Sequence, residues 1–339
     1  MNELSSSRIR DYLYSSWVGQ TIYAAARLDL ADLVADGARH MAVLAARTNT
    51  DQDSLYRLMR ALASIGIFSE EAPKHFTMTP LAQCLRSDAE DSVKYLALFY
   101  GNEIYRCYGR IVDSMRSGTP AFDAEYGQTL WEHMWTAPKT GDAFRRGMGA
   151  ASWRDQLALP RTYDFGGVNC LVDVGGGEGT MLAAILHECP EMHGVLVELP
   201  VGIDRTMHHF IEAGVADRCT LIEGSAFEQL PKADGYFMSC VLHAMTDESS
   251  LRALARIRES IDPDGRLVIL ERIVSPGNEP GLAKFLDLTM LLANEGRERT
   301  EDEWRELLAS ASFRLTRIVP MPYFSGGAEL MAIEATPAR

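Results

Sequence analysis

The residues with the clearest chemistry lie in the run Leu171-Val-Asp-Val-Gly-Gly-Gly-Glu-Gly-Thr180. An apolar strand is predicted to end at Asp173, and the glycines that follow lead into a helix. Glycine loops let the chain turn tightly and let a ligand approach the backbone, because no Cβ intervenes. A dinucleotide fingerprint would have glycine where Thr180 stands, and the carboxylate of Asp173 would repel a phosphate. The run therefore predicts a ligand with a cationic end.

A second acidic residue predicts that the ligand also contains a ribose. Glu198 ends the next predicted strand about 20 residues after the glycines, the spacing at which an acid binds a ribose diol. Acidic residues at strand ends are also common on protein surfaces, but the spacing favours the binding role. S-adenosylmethionine combines a ribose with an ammonium and a sulfonium group, and it is the ligand that this part of the sequence predicts.

His243 is the residue best suited to move a proton. It closes the run Gly235–His243, in which the fourth predicted strand brings it to the mouth of the site. A neutral imidazole, with an ordinary pKa of about 6.5, can take a proton from a hydroxyl group. The alternative is a buried structural histidine, but Glu271 and Glu298 favour the base, because either carboxylate can accept from the other ring N–H and fix the tautomer. The remaining histidines lack metal-ligand spacing, so no bound metal is expected.

These residues need a scaffold that brings strand ends together. From about residue 161, strand-like and helix-like runs alternate, which is typical of a doubly wound parallel sheet. Strands are predicted at 170–174, 194–198, 219–222, 234–238 and 266–271. Helices are predicted at 180–188, 204–213 and 248–260. Two further runs, Phe313–Val319 and Glu329–Ala335, predict an antiparallel hairpin that closes the sheet.

The first 160 residues are predicted to be mainly helical. Short helices at Met41–Ala46 and Asp51–Ile65, followed by a ribbon at Phe68 and His75–Thr79, have the pattern of a winged helix-turn-helix. One interpretation is DNA binding, and the other is a dimerisation or substrate-lid module of the same topology. The second is favoured, because the chain is acidic. Residues 91–160 are rich in aromatic side chains, which either pack in a core or line a flat apolar pocket.

Composition narrows the classes of partner. With 33 basic and 47 acidic residues, the formal net charge is −14, which argues against a nucleic-acid partner. Six scattered cysteines lack a C-x-x-C pair, so no disulfide framework is expected. The first residues lack the pattern of a signal peptide, and no apolar run is long enough for a membrane span. A cytoplasmic enzyme that acts on small molecules is expected.

Several motifs occur here in a family-specific order: Asp-Val-Gly-Gly-Gly-Glu-Gly, Val-Glu-Leu-Pro, Val-Leu-His, Leu-Glu-Arg and Gly-Arg-Glu-Arg-Thr. With the N-terminal Trp17-Val-Gly-Gln and Ala-Ala-Arg-Leu-Asp-Leu-Ala-Asp-Leu, they resemble the S-adenosylmethionine-dependent O-methyltransferases of the plant caffeic-acid and bacterial antibiotic-tailoring type. The resemblance covers nearly the whole chain. It implies an α/β fold with a doubly wound (Rossmann-like), mostly parallel sheet and an antiparallel C-terminal hairpin. An otherwise all-helical, winged-helix dimerisation domain would precede this sheet.

The resemblance also implies domains and site residues. Residues 1–100 would be the dimerisation domain, 101–160 a helical linker that lines the acceptor pocket, and 161–339 the methyltransferase domain. The cofactor S-adenosylmethionine, which leaves as S-adenosylhomocysteine, would be bound by Asp173, Gly175, Gly177, Glu198, Ser225, Ala226, Phe227 and Ser239. His243 would be the catalytic base, with Glu271 and Glu298 beside it. The acceptor would contact Phe144, Met148, Met290 and Asn294, with core packing as the alternative for Met148.

Three departures from the family pattern leave a second activity open. Ser225 stands where the family usually has an acid near the adenine, His243-Ala-Met245 replaces His-Asp-Trp, and Ser239 replaces a lysine. The leading hypothesis is a homodimeric O-methyltransferase that acts on a hydroxyl of a small, flat, aromatic secondary metabolite. The alternative is a cofactor-binding relative that performs C-methylation, decarboxylation or hydroxylation. A winged-helix regulator is a third hypothesis, and the negative charge weighs against it.

Overall fold

The structure is a computed structural model that describes residues 3–200, 206–322 and 330–338, with the backbone alone described at 3–4 and 149–156. It divides into two compact units. Unit 1 comprises Met1–Val112 and Ala121–Ser152, and unit 2 comprises Asp113–Pro120 and Trp153–Arg339. Among the described residues, no helix is both long enough and apolar enough to cross a membrane. The six cysteines are all free thiols.

Up to residue 160 the described chain is mainly helical. The helices span Glu3–Arg27, Leu30–Ala35, Met41–Thr48, Gln52–Ser64, Pro80–Gln83, Lys94–Phe99, Tyr105–Tyr108, Ile111–Ser117, Ala121–Tyr126, Leu130–Thr136 and Pro138–Gln156. The helix Gln52–Ser64 begins where Asp51 accepts a hydrogen bond from Ser54 N at 2.8 Å, the usual capping contact of an aspartate. It buries an apolar stripe formed by Leu55, Met59 and Leu62.

A small antiparallel ribbon follows this helix, as the sequence predicts. Strand β1 (Phe68–Ala72) pairs with β2 (His75–Met78), with Phe68 opposite Met78. One departure from simple helix occurs at Tyr100–Ile104, which forms a π-helical turn. A Cβ on Gly101 would lie 2.4 Å from Tyr23 Cβ, so this turn packs directly against the first helix.

Unit 2 is built on a sheet of seven described strands in the order β5-β4-β3-β6-β7-β9-β8. These strands are β3 (Cys170–Val174), β4 (His193–Glu198), β5 (Cys219–Glu223), β6 (Ala233–Ser239), β7 (Ile261–Arg272), β8 (Phe313–Pro320) and β9 (Leu330–Pro337). Strands β3 to β7 are parallel, and β9 and β8 close the sheet as an antiparallel pair. The α/β architecture and the C-terminal hairpin predicted from the sequence are confirmed.

Helices cover both faces of this sheet. They span Leu159–Thr162, Thr180–Glu188, Thr206–Glu212, Asp247–Ser260, Ala283–Ala293 and Glu301–Ser310, with 3₁₀ turns at Ala216–Arg218 and Leu242–Ala244. Alternate strand residues enter two separate cores: Val172 and Val174 join one, and Leu171 joins the other. This alternation follows from the pleat of a strand. Of the predicted boundaries, residues 204, 205 and 329 lie outside the described residues.

The order of strands creates a crevice between β3 and β6. From β3 the sheet extends through β4 to β5 on one side, and from β6 through β7 on the other. Ligands of open α/β sheets bind at such a switch point, beyond the carboxyl ends of the strands. Gly175 directly follows β3, and a Cβ on it would be 3.0 Å from Cγ2 of Val241, which lies just after β6. Gly175 is therefore located at this switch point. The predicted site residues of unit 2 can therefore be located around this crevice.

Candidate active site

The glycine loop after β3 is as tight as its sequence predicts. A Cβ on Gly176 would lie 2.1 Å from Asp173 Oδ2 and 2.7 Å from Leu196 Cδ1, so no larger residue fits there. Gly177 has a φ of +60°, in the left-handed region, and nothing lies within 4 Å of the position its Cβ would take. The loop is therefore closely packed on its inner side and open at Gly177.

Glu198 is fixed against this loop. Its Oε2 accepts a hydrogen bond from Gly177 N at 2.7 Å, and its Oε1 accepts one from Leu199 N at 2.7 Å. Charge-assisted bonds of this length hold a carboxylate firmly. Each carboxylate oxygen has a second lone pair, so two hydroxyl groups of a ligand can still donate to it. The structure thus brings Glu198 to the glycine loop, as their spacing in the sequence predicts.

Asp173 lies beneath the loop with no partner for its charge. The residue is fully buried, and neither carboxylate oxygen has a hydrogen-bond donor among the described residues. Burial, and secondarily repulsion from Glu198, raises the pKa of Asp173 to about 8. A buried carboxylate with no donor is a strong attractor for a cation or a proton, which agrees with the cationic ligand predicted from the sequence.

The remaining residues predicted to bind the cofactor flank this centre. Ser225, Ala226 and Phe227 follow β5, where Ser225 Oγ accepts from Phe227 N at 3.3 Å. The ring of Phe227 lies 4.9 Å from the guanidinium carbon of Arg252. Ser239 ends β6, and its buried Oγ has no hydrogen-bond partner among the described residues.

His243 lies on a short turn after β6. The strand spans Ala233–Ser239, close to the predicted 234–238, and the rest of the run leaves the sheet, so that His243 belongs to the 3₁₀ turn Leu242–Ala244. The cause is Cys240, whose φ of +53° turns the chain out of the sheet. The hydrogen bond from Cys240 N to Leu270 O, at 3.0 Å, holds this unusual conformation.

Two buried acids contact His243 in different ways. Its Nδ1 lies 2.9 Å from Glu298 Oε1, a hydrogen-bond distance, and 3.7 Å from Glu271 Oε2. Glu271 instead accepts from the backbone N of His243 through Oε1 at 3.1 Å. A carboxylate can only accept, so Nδ1 carries the proton and Nε2 keeps its lone pair. Glu298 therefore fixes the tautomer, a choice between the two acids that the sequence leaves open.

Burial strengthens the electrostatic interactions between His243 and the two acids. The side chains of His243, Glu271 and Glu298 are 16%, 0% and 1% exposed. Burial opposes a charged imidazole, but the negative charges of Glu271 and Glu298 outweigh it and raise the pKa of His243. Burial also raises the pKa of Glu271. A histidine that keeps the lone pair of Nε2 and has two acids beside Nδ1 is equipped to accept a proton and hold the resulting charge.

The same three side chains could in principle hold a divalent metal. Their ligand atoms lie within 4.8 Å of one another. However, Nδ1 is already used by Glu298, so the geometry fits a proton-transfer group without a metal. The absence of a metal, expected from the sequence, stays a prediction.

Met290 and Asn294 lie just before Glu298 in the chain. Met290 is on the helix Ala283–Ala293, and Asn294 follows its last residue. Asn294 Oδ1 accepts from Gly296 N at 2.7 Å, while its Nδ2 lies 3.9 Å from Met290 Sδ. Asn294 thus shapes the turn that leads to Glu298, a structural contact that the sequence does not reveal.

Phe144 and Met148 belong to unit 1. Phe144 packs edge-on against Phe99 at 5.1 Å and against Trp131 at 5.9 Å between ring centroids. Both Phe144 and Met148 are half-buried. Their role in binding an acceptor stays a prediction.

Two supporting residues escape the sequence reasoning. Asp287 Oδ1 accepts from Glu298 N at 3.0 Å, and Arg299 Nη1 donates to Leu242 O at 3.2 Å. Arg299 is part of the Gly-Arg-Glu-Arg-Thr run, which is its only signal in the sequence. Asp287 has none, because it belongs to none of the motifs or predicted elements of the sequence.

Comparisons with known proteins show the family of this chain. Residues 108–314 match the model of an O-methyltransferase domain, and residues 10–88 match an O-methyltransferase dimerisation domain. The chain is 36% identical over 317 residues to the phenazine O-methyltransferase PhzM of Lysobacter antibioticus, covering 93% of each chain. It is 34% identical over 329 residues to the aclacinomycin 10-hydroxylase RdmB of Streptomyces purpurascens, covering 93% of this chain and 88% of that protein.

A solved structure adds the ligands of a relative. An O-methyltransferase from neocarzinostatin biosynthesis, in complex with S-adenosylmethionine and 2-hydroxy-5-methyl naphthoic acid, matches with a TM-score of 0.81 and 28% identity. The match covers 94% of this chain and 96% of that one. The glycine loop, the acid at the end of β4 and the histidine with two acids are thus found in a chain that matches this family over most of its length. The protein belongs to the S-adenosylmethionine-dependent O-methyltransferases.

Proposed function

We propose that this enzyme methylates a hydroxyl group of a small, flat, aromatic secondary metabolite, with His243 as the general base. The observation that carries the proposal is the hydrogen bond from Nδ1 of His243 to Glu298 at 2.9 Å. It leaves Nε2 as the basic atom on a side chain that is 16% exposed. A base held in one tautomer, at the edge of a crevice, is what deprotonation of a bound hydroxyl requires.

The residues around the glycine loop fit S-adenosylmethionine. Glu198 is held by two backbone N–H groups and retains lone pairs for the ribose hydroxyls. The buried carboxyl of Asp173, which has no donor among the described residues, fits the cationic end of the cofactor. The open side of Gly177 leaves the backbone accessible there. Ser225, Phe227 and Ser239 are proposed on the adenine side.

The reaction then depends mainly on position and on one proton. When bound, the cofactor supplies an electrophilic methyl group on its sulfonium. Nε2 of His243 accepts the proton of the acceptor hydroxyl, and Glu298 with Glu271 holds the positive charge that forms on the ring. The burial of both acids keeps water from weakening this attraction. The deprotonated oxygen is then the nucleophile, and its alignment supplies much of the rate.

The acceptor class is proposed from two relatives. One is named for a phenazine substrate, and the other was solved with a hydroxynaphthoic acid. Both compounds are flat and aromatic. Phe144, Met148, Met290 and Asn294 are the side chains proposed to contact such an acceptor.

We also propose that the enzyme works as a homodimer in the cytoplasm, without a nucleic-acid partner. Its N-terminal region matches a dimerisation domain, and we interpret the helices and ribbon there as a winged-helix module. The first helix presents exposed apolar side chains, among them Leu13 and Trp17 at 64% and 65% exposure. Free thiols fit a reducing compartment, and the charge of −14 disfavours nucleic acid. Sedimentation equilibrium tests the dimer directly.

The direct test is transfer of a labelled methyl group to a panel of hydroxyphenazines and hydroxynaphthoic acids. His243→Ala should lower the turnover rate by about 100-fold or more, the usual contribution of a general base. His193→Ala is the matched control, because His193 starts β4, at the end of the strand opposite to Glu198 and the crevice, and should leave turnover unchanged. A chelator should also leave turnover unchanged. Normal transfer by His243→Ala on a genuine substrate would overturn the base assignment.

A second candidate function is motivated by the hydroxylase relative and by the departures at Ser225, Ala244 and Met245. In that case the cofactor would be bound but not consumed, or the methyl group would be found on carbon. Mass spectrometry and NMR of the product separate these outcomes from O-methylation.

A further inference from the structure

The turn that carries His243 is held by a second segment, residues 296–299. Arg297 N donates to His243 O at 2.8 Å. A Cβ on Gly296 would lie 2.1 Å from the same oxygen, so the two backbones are in direct contact. Glu298, which orients the ring, belongs to this segment as well. One stretch of chain therefore holds both the turn and the acid.

Arg299 joins this segment to the turn through a buried guanidinium group. The residue is 1% exposed, and its Nη1 donates to Leu242 O, one residue before His243, at 3.2 Å. Its Nε and Nη2 donate to Asp247 Oδ1 at 3.2 and 2.7 Å, and Nη2 also donates to Ser250 Oγ at 3.3 Å. Because the group is planar and its donors are fixed in a fork, a lysine cannot reproduce these bonds.

The backbone of Arg299 is tied to the strand that carries Glu271. Ile273 and Arg299 form a parallel bridge just beyond the end of β7, and Val274 N donates to Arg299 O at 2.9 Å. Arg299 therefore contacts the turn of the base with its side chain, and the end of β7 with its backbone. Its neighbour in the chain is Glu298.

We propose that Arg299 is a positioning residue that sets the distance between the His243 ring and the Glu298 carboxylate. It acts through the carbonyl of Leu242, and not by contact with the substrate. Asp247, at 2.7 Å, neutralises the charge of Arg299. Arg299 therefore contributes through the geometry of its hydrogen bonds. The inference rests on the proposed function, because the positioned group is the proposed base.

Arg299→Lys tests the role, since it keeps the charge and removes the fork. We expect the turnover rate to fall about tenfold or more, because small misplacements of reacting groups are costly. The KM for the acceptor and the affinity for the cofactor should not change.

Arg317→Lys is the matched control. Arg317 also donates to a carboxylate, that of Glu334, at 2.9 Å, and lies over an aromatic ring, that of Tyr163, at 4.8 Å. It belongs to β8, at the edge of the sheet away from the crevice. Its replacement should leave the turnover rate unchanged.

A measurement on the protein without ligands tests the geometry itself. In protein with ¹⁵N-labelled histidine rings, at a pH above the raised pKa of His243, this residue should give the signal of a neutral ring protonated at Nδ1, assigned by its loss in His243→Gln. Arg299→Lys should shift this signal towards an average of tautomers, and Arg317→Lys should not. If Arg299→Lys does not fold, Ser250→Ala should give the same change with smaller amplitude, because it removes one hydrogen bond of Nη2 and also the bond from Ser250 Oγ to Leu242 O at 3.5 Å.

The outcomes separate this inference from the proposed function. An unchanged ring signal in Arg299→Lys overturns the positioning role, whatever the turnover rate. A changed ring signal in Arg299→Lys, together with full activity of His243→Gln, supports the positioning of the ring and overturns the base.

Discussion

Glu298→Gln is the substitution with the most informative outcome. The change keeps the size of the side chain and removes its charge. Glu298 Oε1 accepts from Nδ1 at 2.9 Å, and the side chain is 1% exposed, so solvent screens the bond very little. A hydrogen bond to a charged group contributes about 1.5–3 kcal/mol. At about 1.4 kcal/mol per factor of ten, turnover should fall about 10- to 150-fold.

The pH dependence of this variant has a definite sign. His243 must be neutral to accept a proton, so the rate falls at low pH as the ring becomes charged. Burial lowers the pKa of His243, but the two acids outweigh burial and the nearby Arg272, and the pKa is raised. Removing the charge of Glu298 lowers that pKa. The acidic limb of the rate profile should therefore move to lower pH while the plateau rate drops.

The assay is methyl transfer at saturating substrates across the pH range, with an NMR titration of the His243 ring beside it. Glu301→Gln is the control, because Glu301 is half-exposed and pairs with Arg305 in the next helical turn. It removes the same charge three residues away and should leave the profile unchanged. A plateau equal to that of the wild type, or an acidic limb that moves to higher pH, would refute the reasoning.

Two further predictions concern the glycine loop and the acid beneath it. Gly176→Ala would bring a Cβ to 2.1 Å from Asp173 Oδ2, so it should cost about 1–3 kcal/mol of stability and weaken cofactor binding. At Gly177, nothing lies within 4 Å of the position of an added Cβ. Gly177→Ala should therefore cost less stability, about 1–2 kcal/mol, because alanine disfavours the left-handed backbone. Thermal unfolding of the two variants measures this difference. The raised pKa of Asp173, about 8 against 3.8 in the unfolded chain, means that stability is lost as pH rises towards 8. Asp173→Asn should flatten the dependence of the unfolding free energy on pH, measured without cofactor. If the slope of that dependence were the same in Asp173→Asn as in the wild type, the prediction would be contradicted.

The strands and helices near the crevice are predictable because their signals are local. The run 170–174 and the helix 180–188 are observed at the predicted residues, since each is an apolar stretch bounded by glycine or polar residues. β7 begins earlier than predicted, at Ile261, where it pairs with Ala233. Such extensions depend on the neighbouring strand and not on the residues of the strand itself.

The details of the catalytic group are not local and could not be derived from periodicity. His243 and Glu298 are 55 residues apart in the chain, and their meeting depends on the turn at Cys240 and on the path through Asn294. A cysteine with a positive φ has no signature in the sequence, because tertiary contacts impose the conformation. The resemblance to a family indicated that both acids lie near the histidine. The hydrogen bonds of the structure assign each acid its own contact.

The bridge between Ile273 and Arg299 has a consequence for how this enzyme can change. The chain between these residues leaves the sheet and returns to it at one point, with Glu271 before its start and Glu298 at its end. The helix Ala283–Ala293 inside it carries Met290 but neither of the two acids. The helix can therefore be exchanged without replacing either acid. Grafting Ala283–Ala293 from a relative, with Asp287 and residues 294–299 retained because they hold Glu298 and the His243 turn, would test whether Met290 sets the acceptor preference that we propose for it.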